Sequence, residues 1–85
     1  MNYYTYRAII EPDENNTYHG YVPALNGCHT WGDSIDEVRA NLRDAISVYL
    51  ASLEEDNEAI PLDRGLEFLE TITMPATEKS TPVYA

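Results

Sequence analysis

The sequence predicts an α+β fold, a single β-β-β-α-β layer with one helix packed on one face of the sheet. Three observations predict it. Short alternating segments rich in aromatic and β-branched residues, punctuated by Pro, Gly and Asn, fill the first third of the chain. One long stretch of helical periodicity follows, with a clear start signal. A Thr-Ile-Thr run then returns as β-prone chain. With 85 residues there is room for one small domain, expected over residues 1–74 with a polar tail over 75–85.

The first strand is expected over residues 3–11. Tyr4, Tyr6, Ala8 and Ile10 fall on one side, and Tyr3, Thr5, Arg7, Ile9 and Glu11 on the other. Pro12 stops it, and Asp13-Glu14-Asn15-Asn16 is a polar turn whose residues tolerate left-handed backbone. Residues 18–22 return as the second strand of a hairpin. Pro23 ends that strand, because proline has no N–H to give a central ladder, and Asn26-Gly27 is a turn dipeptide. Residues 28–31 form a short third strand that Gly32 ends. Alternation places Tyr18, Gly20, Val22, Cys28 and Thr30 toward the helix, and His19, Tyr21, His29 and Trp31 away from it.

The helix is expected over residues 34–53. Ser34 stands at the N-cap and Glu37 three residues on, the capping-box spacing. Asp33 and Asp36 add negative charge at the positive end of the helix dipole. Ile35, Val38, Leu42, Ile46, Tyr49 and Leu53 recur on one face. An acidic loop, residues 54–58, leads to Ile60-Pro61, which returns the chain to the core. For residues 66–74 the Thr71-Ile72-Thr73 run favours a fourth strand, with Phe68, Ile72 and Met74 on one face and Glu70 as the discord; a short helix over 63–69 is the rival.

Composition narrows the function. The net charge is −10, with only 5 Lys and Arg. Binding nucleic acid needs cations that displace counterions from the phosphate backbone, so direct DNA or RNA binding is not expected. An acidic surface suits a basic partner, although charge alone favours a role in solubility. The sequence carries neither an apolar run of transmembrane length nor the basic-then-apolar start of a secretory signal. A single cysteine fits a reducing compartment. A cytoplasmic protein without membrane contact is the expectation.

Catalytic readings find little support. Cys28 and His29 are adjacent in a strand and point to opposite faces, so they do not share a metal ion easily. Two-metal nuclease chemistry needs several converging carboxylates, and the middle of the first strand offers Arg7 and Ala8 instead. Neither an enzyme activity nor a cofactor is expected. Arg39 and Arg43 form either a recognition stripe or a solvated helix face with an Asp36–Arg39 pair. The face opposite the helix is the candidate interface: Tyr3, Ile9, His19, Tyr21, His29 and Trp31 form an aromatic patch with no second helix to cover it. A homo-oligomer, a dimer or higher, would cover it, as would another partner.

The run V-P-A-L-N-G-C-x-T-x-G-D-S-x-x-E, from Val22 to Glu37, resembles the core of the HicB-like antitoxin family. The residues that carry the resemblance are Pro23, Gly27, Cys28, Gly32, Asp33 and Glu37, in that order and spacing. The resemblance extends through the helix to Ile60-Pro61. It implies a partial ribonuclease H-like fold and a type II toxin–antitoxin system. The partner it implies is a small basic toxin, a HicA-like ribonuclease that cleaves messenger RNA and is masked by protein–protein contact. Many family members also carry a C-terminal DNA-binding module. This sequence ends in a polar tail without room for one, so the expectation is a stand-alone member. A homo-oligomeric adaptor without a toxin, or a degenerate ribonuclease H-like nuclease, are the alternatives.

Overall fold

The computed structural model describes residues 2–76. Its element order is a strand at Ile9–Pro12 (β1), a strand at Tyr18–Tyr21 (β2), a strand at His29–Gly32 (β3) and a helix at Ile35–Glu55 (α1). The strands form one antiparallel sheet in the order β1-β2-β3.

The turn between β1 and β2 closes with the Asp13 N–H donating to the Thr17 carbonyl at 2.8 Å, and Asn16 takes φ 59°. Asparagine tolerates that left-handed backbone better than any branched residue. Between β2 and β3 the chain makes a compact loop. There the Leu25 N–H donates to the Val22 carbonyl, the Cys28 N–H to that of Leu25, and the Val22 N–H to that of Cys28. Gly27 sits at φ 81°, where any Cβ is strained. The loop turns Leu25 inward, where it is 1% exposed.

Helix α1 starts as its sequence dictates. Ser34 is the N-cap in extended conformation, and its side chain accepts from the Glu37 N–H at 3.1 Å. Asp36 and Glu37 occupy the first turn. The helix ends with Asp56 as its C-cap and Asn57 at φ 55°, after which the Glu58 N–H donates back to the Leu53 carbonyl. Val38 and Leu42 reach the sheet and, with Val22, Leu25 and Cys28, make the buried core. Tyr6, Ile10, Tyr18, Ala45, Ile46, Tyr49 and Leu50 surround it. The contact is close because Gly20 and Gly32 lie beneath α1: a Cβ on Gly20 would collide with Val38, and one on Gly32 would lie 3.0 Å from Val38 Cγ2.

The structure moves several expected strand ends by one residue: β1 includes Pro12, β2 stops at Tyr21, and β3 runs His29–Gly32, with Gly32 paired to Tyr18 instead of ending the strand. It corrects the expected strands more deeply in two places. The first strand begins at Ile9, not at residue 3, because Pro23 ends β2 and leaves residues 3–8 no partner. Residues 66–74 form neither the fourth strand nor the rival helix. Their alternation is β-like, but they have no neighbouring strand to pair with, and Leu66, Phe68, Leu69, Ile72 and Met74 all stand exposed. The β-β-β-α order is therefore what the described residues show. The tail expected over 75–85 lies outside the described residues from 77 onward.

Past the helix, the chain is tied to the residues just before β1. The Tyr6 hydroxyl donates to the Pro61 carbonyl at 2.6 Å. The Asp63 carboxylate accepts from the Arg7 backbone N–H at 2.7 Å, from Arg7 Nε at 3.1 Å and from the Gly65 N–H at 3.0 Å. Those backbone donors, and then the guanidinium, hold the Asp63 carboxyl below the usual carboxylate range. Burial, then Tyr4 and Asp63, push the Tyr6 phenol up.

Candidate functional site

The sheet has two unlike faces, and register assigns each residue to one of them. Ile9 pairs with Tyr21 and Tyr21 with His29; Glu11 pairs with His19 and His19 with Trp31. Paired residues share a face. The side away from α1 therefore carries two rows, Ile9–Tyr21–His29 and Glu11–His19–Trp31. Ile10–Gly20–Thr30 and Pro12–Tyr18–Gly32 form the side toward α1.

The rings on the helix-free side form one cluster. His19 stacks on Trp31 with centroids 4.7 Å apart and on Tyr21 at 5.7 Å. His29 lies against Trp31 at 4.8 Å and meets His19 edge-on at 5.4 Å. His19 Nε2 and His29 Nδ1 are 3.2 Å apart, so one ring donates to the other. Acidic groups rim the cluster. Trp31 Nε1–H donates to Asp13 Oδ2 at 3.0 Å, and the Tyr21 hydroxyl donates to Glu11 Oε1 at 3.3 Å. Partial burial, then the Glu11 carboxylate, raise the Tyr21 phenol, with a smaller push from Glu67. From below, Asn41 of α1 donates to the Trp31 carbonyl at 2.9 Å and ties β3 to the helix.

Ile9, His19, Tyr21, His29 and Trp31 thus lie together, whereas Tyr3 lies outside the paired sheet and is 89% exposed. The motif residues lie along the stretch from the end of β2 to the first turn of α1. Pro23 closes β2, Gly27 supplies the positive φ, Cys28 is buried, Gly32 admits Val38, Asp33 precedes the cap and Glu37 donates its N–H to it. Burial pushes the Cys28 thiol up, away from the reactive thiolate. Glu11 and Asp13 were not singled out by the sequence. Their signal was the register, which sets Glu11 beside His19, and the turn, which brings Asp13 back to Trp31. Among the described residues no group of three or more His, Cys, Asp or Glu side chains converges to hold a metal ion.

The aromatic face rimmed by carboxylates lies on a small α+β module, one antiparallel sheet backed by one helix. Comparison with known proteins gives that class its family. Residues 6–77 match the model of the HicB-like antitoxin of bacterial toxin–antitoxin systems, and the chain belongs to that family. A UPF0150 protein of Thermoplasma acidophilum is 44% identical over 62 residues, covering 73% of this chain and 90% of that protein. One from Thermotoga maritima is 41% identical over 71 residues, covering 80% and 91%. The crystal structure of the N-terminal domain of the Burkholderia pseudomallei antitoxin HicB superposes with a TM-score of 0.59 at 29% identity, over 76% of this chain and 69% of that one. No described helix is long and apolar enough to cross a membrane.

Proposed function

We propose that the chain is the antitoxin of a type II pair and masks a small basic, HicA-like ribonuclease by binding it through the helix-free face. One observation carries the reading: His19, Tyr21, His29 and Trp31 stack into a single patch that no element among the described residues covers, with Glu11 and Asp13 at its rim. Aromatic residues held in place by their neighbours make good interface anchors, because little side-chain freedom is left to lose on binding.

The charge supports the same partner. A chain of net charge −10 attracts a basic RNA-binding surface from a distance and repels the RNA that surface would otherwise bind. Masking needs no chemistry from the antitoxin, only occupancy of the ribonuclease's substrate surface. A shallow open groove of about 370 Å³ lies between the rings and residues 23–27 and would receive a projecting side chain of the partner.

The test is capture from the native host with wild-type, Tyr21→Ala and Trp31→Ala baits. The wild type recovers a small basic protein, and both variants recover it at least several-fold less while remaining folded. Equal recovery by all three baits would place the contact elsewhere on the molecule.

A further inference from the structure

The exposed residues 66–74 and an open groove on the opposite side of the molecule have matching chemistry. In extended chain, Leu66, Phe68, Glu70, Ile72 and Met74 share one side. The four apolar ones are 75–81% exposed. The groove, about 500 Å³, runs between residues 4–8 and α1, and Tyr4, Tyr6, Ala8, Leu42, Ile46 and Leu50 give it an apolar floor. Arg39 and Arg43 stand on its wall and make no ion pair among the described residues. Beside the groove, residues 2–8 lead into β1 without a ladder partner.

We infer that residues 66–74 of one chain add as a strand beside residues 2–8 of a second copy, reciprocally, and bury their apolar side in its groove. Glu70, the one charge on that side, then meets Arg39 and Arg43 of the other copy.

Two observations favour a second copy over the chain's own segment, and the segment's length allows it. Asp63 and Glu67 hold Arg7 at 3.1 and 3.6 Å, and Glu67 lies close enough to Tyr21, on the helix-free face, to act on its phenol. To reach its own groove on the helix side, the segment would have to reverse around the β1 edge directly after Gly65 and release Glu67. The radius of gyration, 17.2 Å, exceeds the roughly 12 Å of a compact chain of this length, as a projecting segment requires. Nine extended residues reach about 30 Å, more than enough to line residues 2–8.

The area is also adequate. Four apolar side chains from each copy remove on the order of 1,000 Å² from water once the groove walls are counted, the scale at which specific interfaces begin. Strand addition at an open edge supplies main-chain hydrogen bonds as well. The exchange uses the edge of β1 and leaves the aromatic face free, so it does not depend on the toxin-masking reading.

Charge reversal in two separate chains tests it. Glu70→Arg alone puts an arginine against Arg39 and Arg43, and Arg39→Glu/Arg43→Glu alone puts carboxylates against Glu70. Each variant dimerises at least about tenfold more weakly than wild type by sedimentation equilibrium. All three positions are exposed, and unchanged circular dichroism verifies that the fold persists. Mixed together, the two variants form a heterodimer, because both reciprocal contacts are restored. A monomeric wild type overturns the inference. So does a pair of variants that mixing does not rescue, which is the outcome if each chain closes on itself. A dimer insensitive to these changes but broken by Trp31→Ala would place the contact on the aromatic face and overturn it as well.

Discussion

Replacing Gly20 with alanine adds one methyl group where α1 crosses β2. That carbon would overlap Val38 Cγ1 and lie 2.9 Å from Leu42 Cδ1 and 3.4 Å from Leu42 Cγ. Carbon atoms prefer about 3.5–4.0 Å. Neither neighbour can swing aside into solvent, since Val38 is 0% and Leu42 2% exposed. Overpacking of this kind costs about 1–3 kcal/mol. The alanine recovers about 0.4–1 kcal/mol by restricting the unfolded chain, which leaves a net loss of about 1–2 kcal/mol. With a urea m-value near 1 kcal/mol per molar for a chain of this size, the unfolding midpoint falls by about 1–2 M at unchanged slope. The same substitution in a Val38→Ala background costs less by at least about 0.5 kcal/mol, because the overlapping methyl is gone. A midpoint that holds or rises in Gly20→Ala, or strict additivity with Val38→Ala, would refute the close helix–sheet contact.

Further outcomes follow from other parts of the structure. Asp63 has a folded pKa below its unfolded one, so its contribution to holding Arg7 is fully present above the ordinary carboxylate value of about 3.9 and is lost as pH falls through the folded value. The Arg7 amide resonance should therefore titrate with a midpoint below about 3.9, and Asp63→Asn should abolish that titration. The Cys28 thiol, buried and raised by desolvation, should resist a thiol reagent at neutral pH and react once urea unfolds the chain; fast labelling of native protein would contradict its burial. The isolated chain should shift neither DNA nor RNA at physiological salt, and its complex with a basic toxin should weaken as salt rises from low to high, since screening acts over about 8–10 Å at ordinary ionic strength. A micromolar nucleic-acid complex, or an affinity indifferent to salt, would defeat the electrostatic part of the account.

Much of the fold was legible because its signals are local. Ser34 and Glu37 announce the helix start, Asn26-Gly27 the turn, and simple alternation sorts Gly20, Val22 and Cys28 from His19, Tyr21 and Trp31. Alternation alone left open which residues would touch within a face. The contact between His19 and His29 depends on the offset between β2 and β3, which the loop of residues 22–28 sets. The tie from Arg7 to Asp63 spans 56 positions and carries no short-range signature. Residues 66–74 mislead for a related reason: their pattern states a preference for strand, but a strand exists only where another edge pairs with it, and among the described residues they pair with none. The same holds for residues 3–8, whose pattern also reads as strand and whose partner ends at Pro23.

The central claim, that the aromatic face masks a ribonuclease, is most directly tested by the activity of the partner itself. The small basic protein recovered with the chain is separated from it at high salt and set to cleave messenger RNA while the chain is titrated back. The account predicts that cleavage stops near equimolar chain, and that Trp31→Ala, with its fold intact, needs at least about tenfold more to stop it, the equivalent of about 1.4 kcal/mol. Cleavage that continues at saturating wild-type chain, or that Trp31→Ala suppresses as readily as the wild type, would contradict it.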